Sequence, residues 1–245
     1  MIPQNIEIIS LIFKSVEYLD FIIEQLRSVH CQTPGWDVGV RIVANDATPE
    51  VLDALRRSGI NHTSYNDPHP DAYYLNRVYR AWNFAGRTSA YDNICFVNSD
   101  GAFSEGWLSN MLKHHDGVNI PCSMFYESGK MPSGWPGLTK DFGRSPAQFK
   151  GVDWEAFAKS VQEDRFVEGG LYMPYAMTKK RFLESGGYPE GNVYTDGVGT
   201  QSGIPNLIAT GDQFFFNHLK TAFGMKHITV MDSLYYHIQE GEKDS

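Results

Sequence analysis

The chain has 245 residues, of which 42% are hydrophobic and 20% charged, as is usual for a globular protein built on one sizeable α/β domain. Its formal net charge is -8 and no run of lysines or arginines interrupts that acidity, so the electrostatic footprint of a nucleic-acid-binding protein is missing. Three widely spaced cysteines argue against a disulfide framework and a zinc cluster, and no apolar stretch approaches the roughly 20 residues of a membrane-spanning helix.

The apolar run at residues 6–13 opens the chain. No basic segment precedes it and Glu7 interrupts it, so it does not have the pattern of a signal peptide. An odd number of cysteines also fits a reducing compartment. The sequence therefore predicts a soluble cytoplasmic protein, with peripheral association with a membrane left open.

Strand and helix patterns alternate through the first half of the chain. In chain order they are strand 6–13, helix 18–29, strand 38–44, helix 50–58, strand 60–65, helix 73–87, strand 93–97, helix 107–115 and extended segment 118–126. Thr48 is the predicted N-cap of the second helix, with Pro49 at its first position and Gly59 at its end. This alternation predicts a mostly parallel sheet with crossover helices.

The second half of the chain is less regular. The predicted elements are a functional loop rich in Gly, Pro and Ser at 128–151, helix 153–161, strand 171–177, a helix from Thr178 to Gly186, helix 205–223 and strand 227–231. The helix at 205–223 is either continuous or broken near Gly211. Because no repeat or low-complexity tract divides the chain, we predict one domain.

Polar side chains follow three of the predicted strands. These strand ends are Lys14-Ser15, Asn45-Asp46 and Asn98-Ser99-Asp100. Ligands of open α/β sheets bind beyond the carboxyl ends of the strands, so the three ends line one crevice if their strands are neighbours. The sequence contains no glycine-rich phosphate loop and no G-x-S-x-G nucleophile turn. A nucleotide bound here would therefore need a divalent cation, held by a carboxylate, as its counter-charge.

Four segments, taken in order, resemble the family 2 glycosyltransferases. They are IISLIF with its following helix, RIVANDAT, ICFVNSD, and GGLYMPYAMTKKRFLESGGYPEG followed by GDQFFFNHL. The resemblance covers most of the chain. It implies a single GT-A-type (Rossmann-like) α/β domain over residues 1–245, whose mostly parallel central sheet is flanked by helices and whose acceptor side is irregular. Residues 1–117 would form the nucleotide-sugar-binding half and residues 118–245 the acceptor-binding half.

The resemblance assigns roles to the strand ends of the donor half. RIVANDAT stands where the family has an Asp-Asp-Gly-Ser-like turn, which makes Asp46 the expected contact to the base; a turn or capping aspartate is the alternative. ICFVNSD stands at the family's D-x-D motif, so Asp100 is expected to bind the metal, and an Asx-turn before Gly101 is the alternative. Asn98 replaces the first aspartate of that motif. Its amide can still contact the ribose but brings no negative charge.

Further nucleotide and metal contacts are expected from the same resemblance. Lys14, Ser15, Ser99 and Arg77 would complete the nucleotide site. Arg77 and Arg80 could both reach the diphosphate, and solvated helix residues are the alternative. His237 follows the last predicted strand, where some relatives place a metal-binding histidine, and a purely structural histidine is the alternative. The implied cofactor is Mn²⁺ or Mg²⁺, and the implied donor is UDP-linked.

On the acceptor side, Asp212 matches the family's catalytic base, which takes the proton of the attacking hydroxyl. The family motif is usually Glu-Asp, whereas Gly211 precedes the aspartate here. An N-cap aspartate is the alternative. The residues expected near the donor or acceptor sugar are Glu168, Gly169, Gly170 and Trp135, with Trp154 as a further stacking candidate and core packing as the alternative.

Two other functions compete with sugar transfer. A nucleotidyltransferase that makes nucleotide-sugars would carry a glycine-rich basic loop after the first strand, and residues 14–17 do not resemble one. A non-catalytic nucleotide- or carbohydrate-binding protein is the second alternative, motivated by the departures at Asn98 and Gly211. The sequence names neither the sugar, nor the hydroxyl acceptor (carbohydrate, lipid or other), nor the oligomeric state.

Overall fold

The computed structural model describes residues 4–129, 138–199 and 206–238. The helices are α1 (Val16–Arg27), α2 (Pro49–Ser58), α3 (Tyr74–Thr88), α4 (Trp107–Leu112), α5 (Gly151–Val161), α6 (Lys179–Glu184) and α7 (Gly211–Phe223). The strands are β1 (Asn5–Ile12), β2 (Asp37–Asn45), β3 (His62–Tyr65), β4 (Asn93–Val97), β5 (Gly101–Phe103), β6 (Asn119–Glu127), β7 (Leu138–Thr139), β8 (Phe166–Glu168), β9 (Tyr175–Thr178), β10 (Val193–Tyr194), β11 (Gly197–Val198), β12 (Leu207–Ala209) and β13 (Lys226–His237).

One large sheet organises the fold. Its strand order is β3-β2-β1-β4-β9-β6-β13-β5, with β7 added beside β6 and β8 beside β13. The strands β3, β2, β1 and β4 are parallel to one another, and β9 is antiparallel to both of its neighbours. Because β9 is antiparallel to both β4 and β6, β6 runs in the same direction as β4, and so does β13, which is parallel to β6. The predicted α/β class with a mostly parallel sheet flanked by helices is confirmed.

Helices on both faces bury the sheet. The short apolar strands β1 and β4 are almost entirely buried, as parallel strands between two helical layers must be. One face is covered by α1, α2 and α4, and the other by α3, α6 and α7. Within the described residues no helix is both long and apolar enough to cross a membrane.

The starts of four helices follow the capping rules. Ser15, Thr48, Thr178 and Thr210 each accept a hydrogen bond from the backbone N–H three residues on. The predicted cap of α2 at Thr48 and its end at Gly59, whose φ is 67°, are confirmed. A glycine suits that left-handed position because it has no Cβ.

Several predicted elements of the second half were wrong in their bounds or type. The segment 205–223 is not one helix: it holds β12 and then α7, which begins at Gly211 after the cap on Thr210. The predicted strand 171–177 begins only at Tyr175 and is antiparallel. The last strand, predicted to end at residue 231, continues to His237. In the first half, the helix predicted over 107–115 ends at Leu112. In each case tertiary pairing or local capping overrode the propensity pattern.

A buried ion pair joins the sheet to α3. The Arg41 guanidinium donates to both carboxylate oxygens of Glu7, at 3.1 and 3.0 Å, and to the carbonyl oxygen of Ala85 at 2.7 Å. Both side chains are 4% exposed. Such a pair is costly to bury, but leaving one partner alone is costlier still.

Arg41→Met should therefore lower the free energy of unfolding by about 3–5 kcal/mol, because the Glu7 carboxylate stays buried without its partner. Urea unfolding followed by circular dichroism measures this change. Arg56→Ala is the control, since Arg56 pairs with Asp53 in an exposed position and should cost less than about 1 kcal/mol. Equal losses in the two variants would contradict the assignment of the buried pair.

Candidate active site

The carboxyl ends of the parallel strands lie along one edge of the sheet. The neighbours β2, β1 and β4 end there, as do β6 and β13, because all five run in the same direction. The prediction that the three polar strand ends flank one crevice is thus supported by the strand order. Ligands of open α/β sheets bind at such an edge.

Asp100 and His237 meet at this edge. The Asp100 Oδ2 atom lies 3.1 Å from His237 Nε2, and the side chains are 8% and 15% exposed. Asp100 follows β4 and precedes β5, whose first residue, Gly101, is the register partner of His237. On the other side of β13 the partner of His237 is Glu127, the last residue of β6. His237 therefore lies between two carboxylates, with Glu127 Oε2 3.6 Å from its Nδ1.

Aromatic rings hold the His237 imidazole in place. Tyr235 stacks on it with ring centroids 6.2 Å apart, and Phe125 contacts it edge-on at 5.5 Å. Burial by itself would lower the pKa of His237, but the negative charges of Asp100 and Glu127 outweigh burial and raise that pKa to about 10. In this arrangement the imidazole is a cation that both carboxylates attract.

The donor chemistry of this cluster suits a divalent metal ion. A carboxylate oxygen and an imidazole nitrogen are both common ligands of such ions. Adjacent ligands of an octahedral ion with bonds of about 2.1 Å lie about 3 Å apart, which the separation of Asp100 Oδ2 from His237 Nε2 matches. Within residues 4–129, 138–199 and 206–238, no group of three or more His, Cys, Asp or Glu side chains is arranged to hold a metal ion. At most two ligands from the described side chains converge here.

The turn before Asp100 is partly buried. The Asn98 carbonyl oxygen accepts a hydrogen bond from the Tyr235 hydroxyl at 3.3 Å, and both Asn98 and Ser99 keep some solvent exposure. Gly101 allows the Tyr235 ring to pass directly over the turn, because a Cβ atom at that position would overlap the ring. Tyr235 thus fixes the backbone of the turn and the imidazole of His237 together.

Asp46 and Arg77 form a second ion pair at the end of β2. Arg77 donates to Asp46 Oδ2 from Nε at 3.0 Å and from Nη2 at 2.7 Å, while Asp46 Oδ1 accepts from the backbone N–H of Asp67. Asp46 has a φ of 48° and is the only described non-glycine residue with a positive φ, a conformation that turns and binding sites tolerate. Arg77 and Lys14 both lie over the Phe13 ring, at 5.3 and 4.7 Å from its centroid.

An aspartate that the motif analysis did not single out supports this pair. Asp67 is buried and accepts a forked pair of hydrogen bonds from Arg80, at 2.7 and 2.8 Å. Burial alone would raise the pKa of Asp67, but the hydrogen bonds from Arg80 and the His69 backbone lower it. Arg80 is therefore a structural partner of Asp67, not a solvated helix residue.

Ser15 caps α1 by accepting from the Tyr18 backbone N–H.

Asp212 lies at the start of α7, where it contacts α3. Its Oδ1 atom accepts from the Thr210 hydroxyl and from the Gln213 backbone N–H, and its own N–H donates to the Tyr79 hydroxyl at 3.3 Å. Thr210 is the N-cap of the helix, so the reading of Asp212 itself as the cap was wrong. Since Tyr79 follows Arg77 by two residues on α3, this helix start lies toward the carboxyl edge.

Three of the expected sugar-binding residues are consecutive, with Glu168 at the end of β8 and Gly169 and Gly170 directly after it. Glu168 is exposed, lies 3.6 Å from Lys220, and pairs with Ile228, nine residues before His237 on β13. Gly169 and Gly170 both have positive φ values, of 84° and 123°. Trp135 lies outside the described residues.

Trp154 belongs to the core. It is 1% exposed and packs in an aromatic cluster with Phe142, Phe157 and Tyr236, so the idea that it stacks on a sugar was wrong.

Glu127 is a residue near the site that the sequence motifs did not indicate. Its only signal was its position at the end of a long apolar strand, where a charge is unusual.

Neither a known protein family nor a curated protein matches the sequence. Solved structures do resemble the fold. GalNAc-T7, crystallised with UDP, GalNAc and Mn²⁺, aligns with a TM-score of 0.56 and 11% identity over 96% of this chain and 44% of the other. TarS residues 1–349 from S. aureus aligns with a TM-score of 0.55 and 12% identity, and its complex with UDP with 0.57 and 14%, over 95% of this chain and 60% of each TarS chain.

The chain spans about half the length of these structural neighbours. At such low identity the likeness establishes the fold and not the activity. The chain therefore has a GT-A-like fold, shared with glycosyltransferases of known structure.

Proposed function

We propose that this protein is a glycosyltransferase that moves a sugar from a UDP-linked donor to a hydroxyl acceptor with the help of Mn²⁺ or Mg²⁺. The observation that carries the proposal is the meeting of Asp100 and His237 at the carboxyl edge of a GT-A-like sheet. Two neighbours support the donor and the metal, since TarS was crystallised with UDP and GalNAc-T7 with UDP, GalNAc and Mn²⁺.

The donor nucleotide would lie along the ends of β1, β2 and β4. Asp46 is held by Arg77 and by the Asp67 backbone in a fixed orientation, which suits recognition of a base edge. Asn98 would contact the ribose through its amide, and Ser99 would flank it. Lys14 and Arg77 bring two positive charges to the Phe13 ring at this edge, where they can face the diphosphate.

Asp100 and His237 would hold the metal ion, with diphosphate oxygens and water completing its coordination. When bound, the ion stabilises the negative charge of the departing diphosphate as a Lewis acid. Asp100 is the carboxylate of the Asn98-Ser99-Asp100 turn, because Asn98 is neutral. His237 is expected to compensate as the second ligand.

Asp212 would act as the general base of the transfer. The acceptor oxygen forms a bond to the anomeric carbon, the bond from that carbon to the phosphate oxygen breaks, and the nucleoside diphosphate leaves with the electron pair. The Asp212 carboxylate takes the hydroxyl proton. Attack opposite the leaving group inverts the anomeric centre. For the sugar, Trp135, the Gly169-Gly170 turn and Glu168 stay predictions, and exposed Glu168 is the weakest of them.

The direct test of the activity is UDP release from a panel of UDP-sugars with Mn²⁺, with and without an acceptor panel. Release that rises with one donor and needs the metal is the expected result. Pyrophosphate release from a nucleoside triphosphate and a sugar phosphate would indicate a nucleotidyltransferase instead. Tight donor binding with neither transfer nor hydrolysis would indicate a binding protein with a degenerate site, the outcome that Asn98 and Gly211 would then explain.

A further inference from the structure

We propose that Glu127 is a positioning residue of the metal site: it orients His237 and supplies the second buried negative charge that Asn98 does not bring. This inference rests on the proposed function, because it concerns how the chain prepares its histidine for the metal. It assigns a role to a residue outside the Asn98-Ser99-Asp100 turn and on a different strand.

The strand register brings Glu127 to this place. Glu127 is the last residue of β6, and its register partner on β13 is His237. His237 also pairs with Gly101 on β5, directly after Asp100. The end of β6, the end of β13 and the turn before β5 therefore present a carboxylate, an imidazole and a carboxylate side by side. The backbone fixes the pair further, since the His237 carbonyl oxygen accepts from the Ser128 N–H at 3.1 Å.

Two buried polar atoms of this arrangement face each other. Glu127 Oε2 and His237 Nδ1 are both buried without a hydrogen bond, and they lie 3.6 Å apart. A hydrogen bond between such atoms has a length of about 2.7–2.9 Å, so a shift of less than about 1 Å would join them. Buried unpaired polar atoms are costly and call for a physical reason. A role in orienting the imidazole supplies that reason.

The chemistry of histidine explains why this orientation matters. A histidine that binds a metal through one ring nitrogen commonly donates from the other to a carboxylate, which fixes its tautomer. If His237 donates from Nδ1 to Glu127 and its Nε2 proton leaves when the metal binds, the Nε2 lone pair faces Asp100, at 3.1 Å, where the ion would lie. Glu127 itself would stay outside the coordination sphere, in agreement with the absence of a three-residue metal cluster among the described side chains.

The charge of the cluster gives a second argument. In a D-x-D motif two carboxylates share the turn, whereas Asn98 leaves Asp100 as the carboxylate of this turn. Glu127 is 7% exposed and restores a second negative charge beside the site from another strand. A divalent cation would then meet the same total charge as in a D-x-D site.

The test is the affinity of the protein for Mn²⁺. The protein is titrated with Mn²⁺ in the presence of UDP, and the electron paramagnetic resonance signal reports the free Mn²⁺. Glu127→Gln keeps the shape of the side chain and removes its charge, and it is expected to weaken Mn²⁺ binding 10- to 100-fold. UDP affinity without metal should stay unchanged, and circular dichroism should show a folded protein with a lower thermal midpoint, because the His237 cation loses one of its two buried carboxylate partners. Glu127→Asp keeps the charge but shortens the reach, and an intermediate loss is expected; it also serves if the glutamine variant does not fold.

Glu105→Gln is the matched control, because its carboxylate is 69% exposed and lies in a different ion pair. Wild-type affinity in Glu127→Gln, while Asp100→Ala loses Mn²⁺, would overturn the positioning role and leave the metal site standing. A loss in Glu127→Gln as complete as in Asp100→Ala would also overturn it, since Glu127 would then be a direct ligand. No Mn²⁺ binding by the wild-type protein would refute the proposed metal site itself.

Discussion

Replacing Asp212 by asparagine is expected to lower sugar transfer by about 10²–10⁴-fold, because the amide cannot take the proton of the attacking hydroxyl. Donor binding should change little, since the hydrogen bonds of the Asp212 carboxylate go to Thr210 and Gln213 at its own helix start and not to the strand ends that would hold the nucleotide. The measurement is kcat for transfer to the best acceptor of a panel, together with the Kd of UDP by calorimetry.

Asp153→Asn is the control for this substitution. Asp153, like Asp212, is an acidic residue in the first turn of a helix, but it lies on α5. Either carboxylate stabilises its helix by about 0.3–1 kcal/mol through the helix dipole, so both variants should lose stability to a similar small extent. If transfer by Asp212→Asn also stayed within about twofold of wild type, Asp212 would be a helix-start residue and not the base.

Asp100→Ala is expected to remove the dependence of UDP binding on Mn²⁺ and to lower transfer by about 10²-fold or more. The physical reason is that His237 alone would be left to hold an ion whose stabilisation of the leaving diphosphate contributes several kcal/mol. Calorimetric titration of UDP with and without Mn²⁺, followed by a UDP-release assay, checks both effects.

Asp53→Asn is the control here, because Asp53 is an exposed residue of α2 in an ion pair with Arg56. It should bind UDP and Mn²⁺ like the wild type. Unchanged metal-dependent binding in Asp100→Ala, with the protein still folded, would remove Asp100 from the metal site. The Asn98-Ser99-Asp100 turn would then be an Asx-type turn after β4, which is the alternative that the residues themselves left open.

The first half of the fold could be predicted because local signals agree there. The apolar run of β1, the cap at Thr48 and the glycine at the end of α2 each point to one structure. The strand order β2-β1-β4 then brought the predicted polar ends to neighbouring positions. In this half, the strands and helices that the local sequence pattern favours are also the ones that pair and pack in the folded protein.

The second half could not be predicted as well because long-range pairing decides its elements. The sequence pattern predicts β13 only as far as residue 231, because polar residues at 232 and 233 interrupt the apolar run. The structure accommodates them in an irregularity, with Val230 opposite Ser123 and Leu234 opposite Met124, and the strand then resumes as far as His237. Residues 231–233 have no register partners on β6 and form the insertion in β13. No local pattern reveals such an insertion.

The same limit applies to the site. Asp46, Asp100 and Asp212 were accessible to motif reasoning because each follows a recognisable local pattern. Glu127 was not, since its meaning depends on which residue β13 places beside it. The pairing of Asp46 with Arg77 across 31 positions of sequence is equally invisible locally. The meeting of His237 with Asp100 was anticipated from resemblance, and the register of β13 with β5 gives the physical reason for it.

The measurement that tests the central claim most directly is a crystal structure of the protein with UDP and Mn²⁺, using the anomalous scattering of manganese. We expect one anomalous peak about 2.0–2.3 Å from Asp100 Oδ2 and His237 Nε2, with the diphosphate on the ion and the base beside Asp46. A nucleotide bound elsewhere, or a manganese peak away from Asp100 and His237, would contradict the account.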